Sequence, residues 1–158
     1  MANVYAQENL STEIIQNQFR DPIQSEADDG TAPLTDLNAG ERGSDDPDFV
    51  LPSFPSQGAL YPHVIVSEAG YNHSHPDARA DFTEGEYDVE IRVLARSTTT
   101  LNQITDGVRH WFVNQFDTLV ANGYNDPEII GGGEVPNPRP DPIVEGKTVI
   151  TRGTVYTQ

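Results

Sequence analysis

Three short clusters in the sequence contain residue types that take part in chemistry. The first is NHSHPD, where His73, His75 and Asp77 offer two imidazoles and a carboxylate to a metal ion. A metal site needs three or four converging ligands, and the chain has no cysteine and only four histidines. We therefore expect a solvated loop in this segment, and no metal site.

The second cluster is the glycine run Gly131–Gly133, which at first sight resembles a phosphate-binding loop. It lacks the lysine and the hydroxyl residue of such loops, and Glu134 adds a charge that repels phosphate. Pro136 stands where the following helix would begin. The glycines instead predict a bulged strand or a site of close backbone approach.

The third cluster, Arg109, His110 and Asn114, shares an exposed side of a predicted helix, next to Trp111. A single helical histidine beside a tryptophan indicates packing more often than catalysis. No nucleophile elbow, zinc-protease or Walker motif occurs. We therefore expect no enzyme, no catalytic residues and no cofactor.

The charge of the chain is extreme. The 158 residues include 25 acidic and nine basic ones, a net charge of -16, and Lys147 is the single lysine. Such self-repulsion is screened at high salt, because the Debye length falls to about 3 Å at 1 M. The composition favours a protein adapted to near-molar salt, and it gives duplex DNA no basic patch to bind. No apolar stretch is long enough to predict a membrane span.

The sequence divides into two regions of different composition, residues 1–60 and residues 61–158. In the first, ENLSTEIIQNQF predicts a short helix. Residues 24–60 are rich in Asp, Gly, Pro and Ser and predict an extended acidic arm, with FVLPSFP as its apolar anchor. The arm either straps the protein's own core or clasps another subunit, and the sequence leaves both open.

The second region predicts four strands and one helix. HVIVSEA reads as a strand, GYNHSHPDARADFTEGE as a loop, and YDVEIRVLA alternates apolar and polar residues, as expected of a half-buried antiparallel strand. PEIIGGGEV and KTVITRGTVYTQ predict two more strands around a Pro-rich loop at 136–142.

Between the second and third strands, apolar residues recur at three- and four-residue spacing from Leu101 to Val120. This predicts one long helix of about 24 residues, roughly 36 Å in length, capped by one of Thr98, Thr99 or Thr100 and ended by Gly123. The predicted fold class is α+β: a mostly antiparallel sheet with one long helix packed on a face, preceded by the N-terminal arm.

The segments YPHVIVSEAG, EYDVEIRVLARSTTTLNQITDGVRHWFVNQFDTLVANGY and KTVITRGTVYTQ together resemble the tail terminator and tail completion (neck) proteins of long-tailed viruses. Members of that group share an α+β fold in which a long strand of an antiparallel sheet leads, through polar Thr or Ser residues, into an amphipathic helix. With the acidic, lysine-poor composition, the chain resembles such a protein from a virus of a haloarchaeon. The resemblance covers residues 61–158, whereas residues 1–60 depart from the compact N-terminal helix usual in the group.

The resemblance implies a structural virion protein, assembled in the host cytoplasm. It implies a ring, a homohexamer, at the head-proximal end of the tail, with the tail tube protein and the head–tail connector as partners. Such a ring ends tail-tube polymerisation and joins tail to head, while DNA only passes through its channel. Two other readings stay open: a connector or tail completion protein on the portal side, and a halophilic binding domain of a cellular protein.

Overall fold

The computed structural model describes residues 12–29, 50–51, 61–74, 83–135 and 144–157. Over these ranges the fold is α+β. The helices are α1 (Thr12–Asp29), α2 (Thr98–Asn114) and α3 (Phe116–Ala121), and the strands are β1 (Val50–Leu51), β2 (His63–Ser74), β3 (Thr83–Ala95), β4 (Asn125–Val135) and β5 (Glu145–Thr157).

The five strands form one sheet in the order β1-β2-β3-β5-β4. The four long strands pair antiparallel, and the short β1 runs parallel to β2. This confirms the predicted α+β class with a mostly antiparallel sheet. The last strand in sequence, β5, lies between β3 and β4, so the chain's order in space differs from its order in sequence.

The alternation predicted for β3 is confirmed by its burial. One face presents Tyr87, Val89, Ile91, Val93 and Ala95 to the core, all almost completely buried. Their neighbours Asp88, Glu90 and Arg92 keep partial contact with solvent on the opposite face. The period-two pattern therefore places the helices against one face of the sheet.

The predicted long helix is two helices that meet at Gln115, whose φ of -95° and ψ of 4° leave the helical region. The hydrogen-bond ladder nevertheless continues: the Gln115 N–H donates to Trp111 O at 3.0 Å, and the Gln115 carbonyl accepts from Leu119 N–H at 2.8 Å. The apolar spacing also continues, through Phe112, Phe116 and Leu119, so the sequence pattern does not predict the break in the helix.

The ends of this helical segment follow known caps. Ser97, one residue before the three predicted threonines, is the N-cap, and its side chain accepts from the Thr100 N–H at 3.4 Å. At the far end Gly123 has the predicted positive φ, 96°. Its N–H bonds to Val120 O and that of Tyr124 to Leu119 O, which is a Schellman ending.

Tyr124 fixes the corner between α3 and β4. Its ring rests on Gly153, where an added Cβ would approach ring atoms to 2.6 Å. The buried hydroxyl donates to Tyr87 O at 2.9 Å and lies 3.1 Å from Thr151 Oγ1. Burial raises the pKa of the Tyr124 phenol well above its ordinary value, since the phenolate would lose its hydration.

Helix α1 is longer than predicted. Residues 24–29 are helical rather than extended, and the helix runs through Pro22. The proline removes a backbone hydrogen bond, at a cost of about 3 kcal/mol. Burial beyond it offsets that cost, because Ile15, Phe19, Ile23 and Ala27 form one buried stripe. The remainder of the predicted arm, residues 30–49 and 52–60, lies outside the described residues.

Phe19 joins α1 to the main core. It is fully buried, 5.8 Å from Trp111, 6.2 Å from Phe112 and 5.4 Å from Tyr124 between ring centroids. Offset and edge-to-face contacts of this kind add to the energy of burial. The N-terminal helix therefore shares one hydrophobic core with the sheet, rather than standing apart from it.

The predicted loop between the first two strands is shorter than expected. Strand β2 continues to Ser74 and β3 begins at Thr83, and the two pair from His63↔Leu94 to Ser74↔Glu84. The pairing extends into the polar residues because backbone hydrogen bonds, rather than apolar side chains, define a ladder.

Candidate interaction surface

In the described structure, the sequence candidates for chemistry lie on three different elements, β2, α2 and β4. His73 belongs to β2, and His75 and Asp77 lie outside the described residues. Within the described ranges, no three His, Asp or Glu side chains are grouped closely enough to hold a metal ion. His110 and Asn114 are exposed, and Arg109 pairs with Asp106 at 2.9 Å. Trp111 is buried, in agreement with the packing role predicted from the sequence.

The glycine run is a site of close backbone approach, as predicted. At Gly132, whose φ is 151°, an added Cβ would lie 2.4 Å from Thr148 O. The register of β4 on β5 shifts between Ile129 and Gly131, which is the predicted bulge. Gly132 therefore allows β4 to lie tightly on β5, and the glycine run belongs to a strand rather than to a loop for phosphate.

A small cavity of about 190 Å³ opens where the paired strands β4 and β5 meet the start of α2. Two of its polar groups already have partners: Glu145 accepts from the Thr98 hydroxyl, and Lys147 donates to Asn102 Oδ1. Ligand pockets usually measure 300 Å³ or more. This cavity is a narrow gap at the end of the sheet, and few of its polar groups remain to bind a ligand.

Part of the face of the sheet away from the helices is charged, and another part carries the buried residues Ile65 and Leu94. Arg152 donates to both carboxylate oxygens of Asp88, at 2.8 and 3.0 Å, and lies 3.8 Å from Glu86. The bonds to Asp88 raise the pKa of the arginine, which stays charged. Arg92 pairs with Glu90 on the same face. The Arg152 pairs join β5 to β3, and the Arg92 pair lies along β3.

At one edge of the sheet, the chain supplies partners for β2. Strand β1 pairs Val50 with Val64 and Leu51 with Ile65. Next to them, the Arg20 guanidinium on α1 donates to Val66 O at 2.9 Å, and Gln24 Oε1 accepts from the Val50 N–H at 3.0 Å. Because α1 and β1 are tied together, the edge is closed over Val64–Val66.

At the opposite edge, β4 is open. In the described part of the chain no strand pairs with its side away from β5. Most of its residues are exposed, including Ile129 and Ile130, each 39 % exposed. An unpaired edge presents backbone donors and acceptors that suit another extended strand. We define the open edge as strand β4, Asn125–Val135.

Sequence reasoning identified the strand PEIIGGGEV but missed its exposure. Two adjacent isoleucines favour burial, yet they occur beside the glycine run and between Glu128 and Glu134. Apolar residues flanked by glycines and acidic residues were the feature of the sequence that could have predicted this exposure. Arg20 was missed as well; its signal was a single cation in an otherwise acidic helix.

No protein-family model matches the chain, and no curated protein matches it in sequence. Among the helices that the structure describes, none combines the length and the apolar character needed to cross a bilayer.

Proposed function

We propose that this protein is a structural component of a virion, a ring of about six copies at the head-proximal end of a viral tail. The ring ends polymerisation of the tail tube and joins the tail to the head connector. The observation that carries the proposal is a sheet in which the start of the β2 edge is closed by the chain itself, whereas within the described residues β4 has no partner strand on its side away from β5. A ring needs such a surface, because each subunit must offer its neighbour a patch that its own fold leaves unused.

Two further features support this function. The unit formed by β3, Ser97 and α2 is the strand, polar cap and packed helix that the resemblance to tail terminator proteins implies. The strongly negative chain would not retain DNA that passes through its ring, since phosphates and carboxylates repel. The same charge favours assembly in concentrated salt, where repulsion between subunits is screened.

The test is the mass of the purified protein in solution. In salt well above about 1 M, where screening acts within ~3 Å, we expect particles close to six times the mass of one chain. Lowering the salt should dissociate them, because the acidic subunits then repel one another. A monomer at every protein and salt concentration contradicts the proposal.

A second assay separates this function from that of a portal-side connector. Added to a polymerising tail tube protein, a terminator shortens the tubes and caps one end, as seen by electron microscopy. Tubes of unchanged length and bare ends would assign the ring to the connector side.

A further inference from the structure

We infer that neighbouring copies join by adding the open edge, β4, to the outer edge of the next copy's β2, so that the sheet continues from subunit to subunit. The inference rests on the proposed function, since it names the contact that builds the ring. Its starting point is the incomplete closure of the β2 edge.

Among the residues that the structure describes, those that close the outer edge of β2 lie at its beginning. Pairing with β1 ends at Ile65, and the bond from Arg20 reaches Val66. From Ser67 to Ser74 the strand pairs with β3 on one side, except at a bulge between Glu68 and Gly70. On the other side, no strand of the described ranges pairs with it. This second stretch of eight residues is about 26 Å long, enough to pair with most of β4.

The residues of the open edge are suited to pairing with an extended chain. Its centre, Ile129–Gly133, carries no charge and includes two exposed isoleucines. Pairing with another strand would satisfy the backbone groups and remove apolar surface from water. Bulges and acidic residues shield the first part of β4, whereas Gly131–Val135 pairs in regular register with β5.

Charge decides which strand of the neighbour fits. β4 carries Asp126, Glu128 and Glu134, so two β4 strands would bring three carboxylates against three. The 67–74 stretch of β2 carries one, Glu68. Like charges facing each other across strands are destabilising, which favours β4 on β2 over β4 on β4.

Topology points the same way. β4 and β2 lie toward opposite ends of one sheet, so their contact is head-to-tail and leaves a further β4 and β2 exposed on the resulting pair. Repetition of such a contact with a fixed rotation closes a ring, whereas a β4–β4 contact stops at a dimer.

Cysteine cross-linking tests the contact, because the natural chain contains no cysteine. The full-length double variant Ala69→Cys/Ile130→Cys places one thiol on each proposed edge, both at exposed positions. A short flexible bismaleimide, applied in concentrated salt, should give a covalent ladder of dimers, trimers and larger species. An equimolar mixture of the two single variants should stop at dimers, since each chain then has one reactive edge.

The matched control is Ala69→Cys/Val113→Cys. Val113 is 53 % exposed but lies on α2, away from β4, so cross-linking should fall to background. Amide hydrogen exchange of the natural protein gives a second readout, with slower exchange in β4 and in residues 67–74 on assembly.

Three results would overturn the inference. Covalent dimers from Ile130→Cys alone would show that β4 pairs with β4. A ring-sized mass with no ladder, and with unchanged exchange in β4, would keep the proposed function and reject this contact. A monomeric mass under all conditions would reject both.

Discussion

The two edges of the sheet differ in how far the described chain covers them. At β2, a two-residue strand and one arginine from a distant helix occupy backbone groups that would otherwise face outward. At β4, exposed isoleucines and glycines pair with β5 on one side and have no second partner strand in the described structure. An edge strand that must not bind other molecules has to be covered, because its unpaired backbone N–H and C=O groups can pair with another chain. The contrast between the covered start of β2 and the uncovered β4 indicates that an interaction surface is to be sought on the uncovered parts of the two edges.

The strongest way to break this comparison is to loosen the helix that closes the β2 edge. Phe19→Ala removes a fully buried ring that contacts Trp111, Phe112 and Tyr124. We expect the free energy of unfolding in urea to fall by about 3–5 kcal/mol, as for other buried phenylalanines. A matched exposed change, Val120→Ala, should cost less than about 0.5 kcal/mol. A loss below 1 kcal/mol at Phe19 would mean that α1 does not stabilise the sheet.

A smaller effect should follow from removing the arginine itself. Arg20→Met keeps the apolar stem but leaves Val66 O without its donor, which should cost about 1–3 kcal/mol. Arg109→Met is the control, since Arg109 makes only an exposed pair with Asp106 and should change stability by less than about 1 kcal/mol. Equal losses in the two variants would show that the bond to β2 does not stabilise its edge.

Tyr124, at the start of β4, links the open side of the sheet to β3. The pKa of its phenol is raised by burial, so above pH ~10 the unfolded state loses the proton first. Stability is then fully present below that pH and falls as pH rises, by at most about 1.4 kcal/mol per unit. Tyr124→Phe should cost about 1 kcal/mol at pH 8 through the lost bond to Tyr87 O, and should flatten the alkaline decline. Parallel urea curves of the two proteins at pH 8 and pH 11 measure both effects, and an equally steep decline in the variant would contradict the assignment.

The smallest change in stability is expected at the open edge. Ile130→Lys should alter the free energy of unfolding by less than about 0.5 kcal/mol, because the residue is 39 % exposed and lies outside the buried core. It should nevertheless prevent assembly, since a charged edge residue opposes strand addition. Val113→Lys, an equivalent change on α2, should assemble normally. Sedimentation in concentrated salt measures the result, and normal assembly of Ile130→Lys would place the contact elsewhere.

Local patterns predicted the elements that depend on local physics. The alternation from Tyr87 to Ala95, the glycine ending at Gly123 and the bulge at the glycine run follow from side-chain period and backbone freedom, and the structure confirms them. The continuation of α1 beyond Pro22 was missed, since the proline rule ends a helix unless packing of Ile23 and Ala27 outweighs it.

The candidate surface was harder to predict because it depends on distant partners. Whether β4 lies at an edge is decided by where β5 inserts, and nothing in PEIIGGGEV encodes that position. The bond between Arg20 and Val66 joins residues 46 positions apart. The lack of catalytic motifs predicted a protein without a catalytic centre, which stays a prediction, and the order of the described strands shows which of their edges has no partner strand.

The insertion of β5 between β3 and β4 also sets the timing of maturation. A ribosome releases β4 first, and β4 has no neighbour in the sheet until β5 has left the exit tunnel. At ordinary translation rates the interval from Val135 to Thr157 is about 1–4 s. The finished edge to which our proposal assigns assembly therefore forms only after β5 has been synthesised.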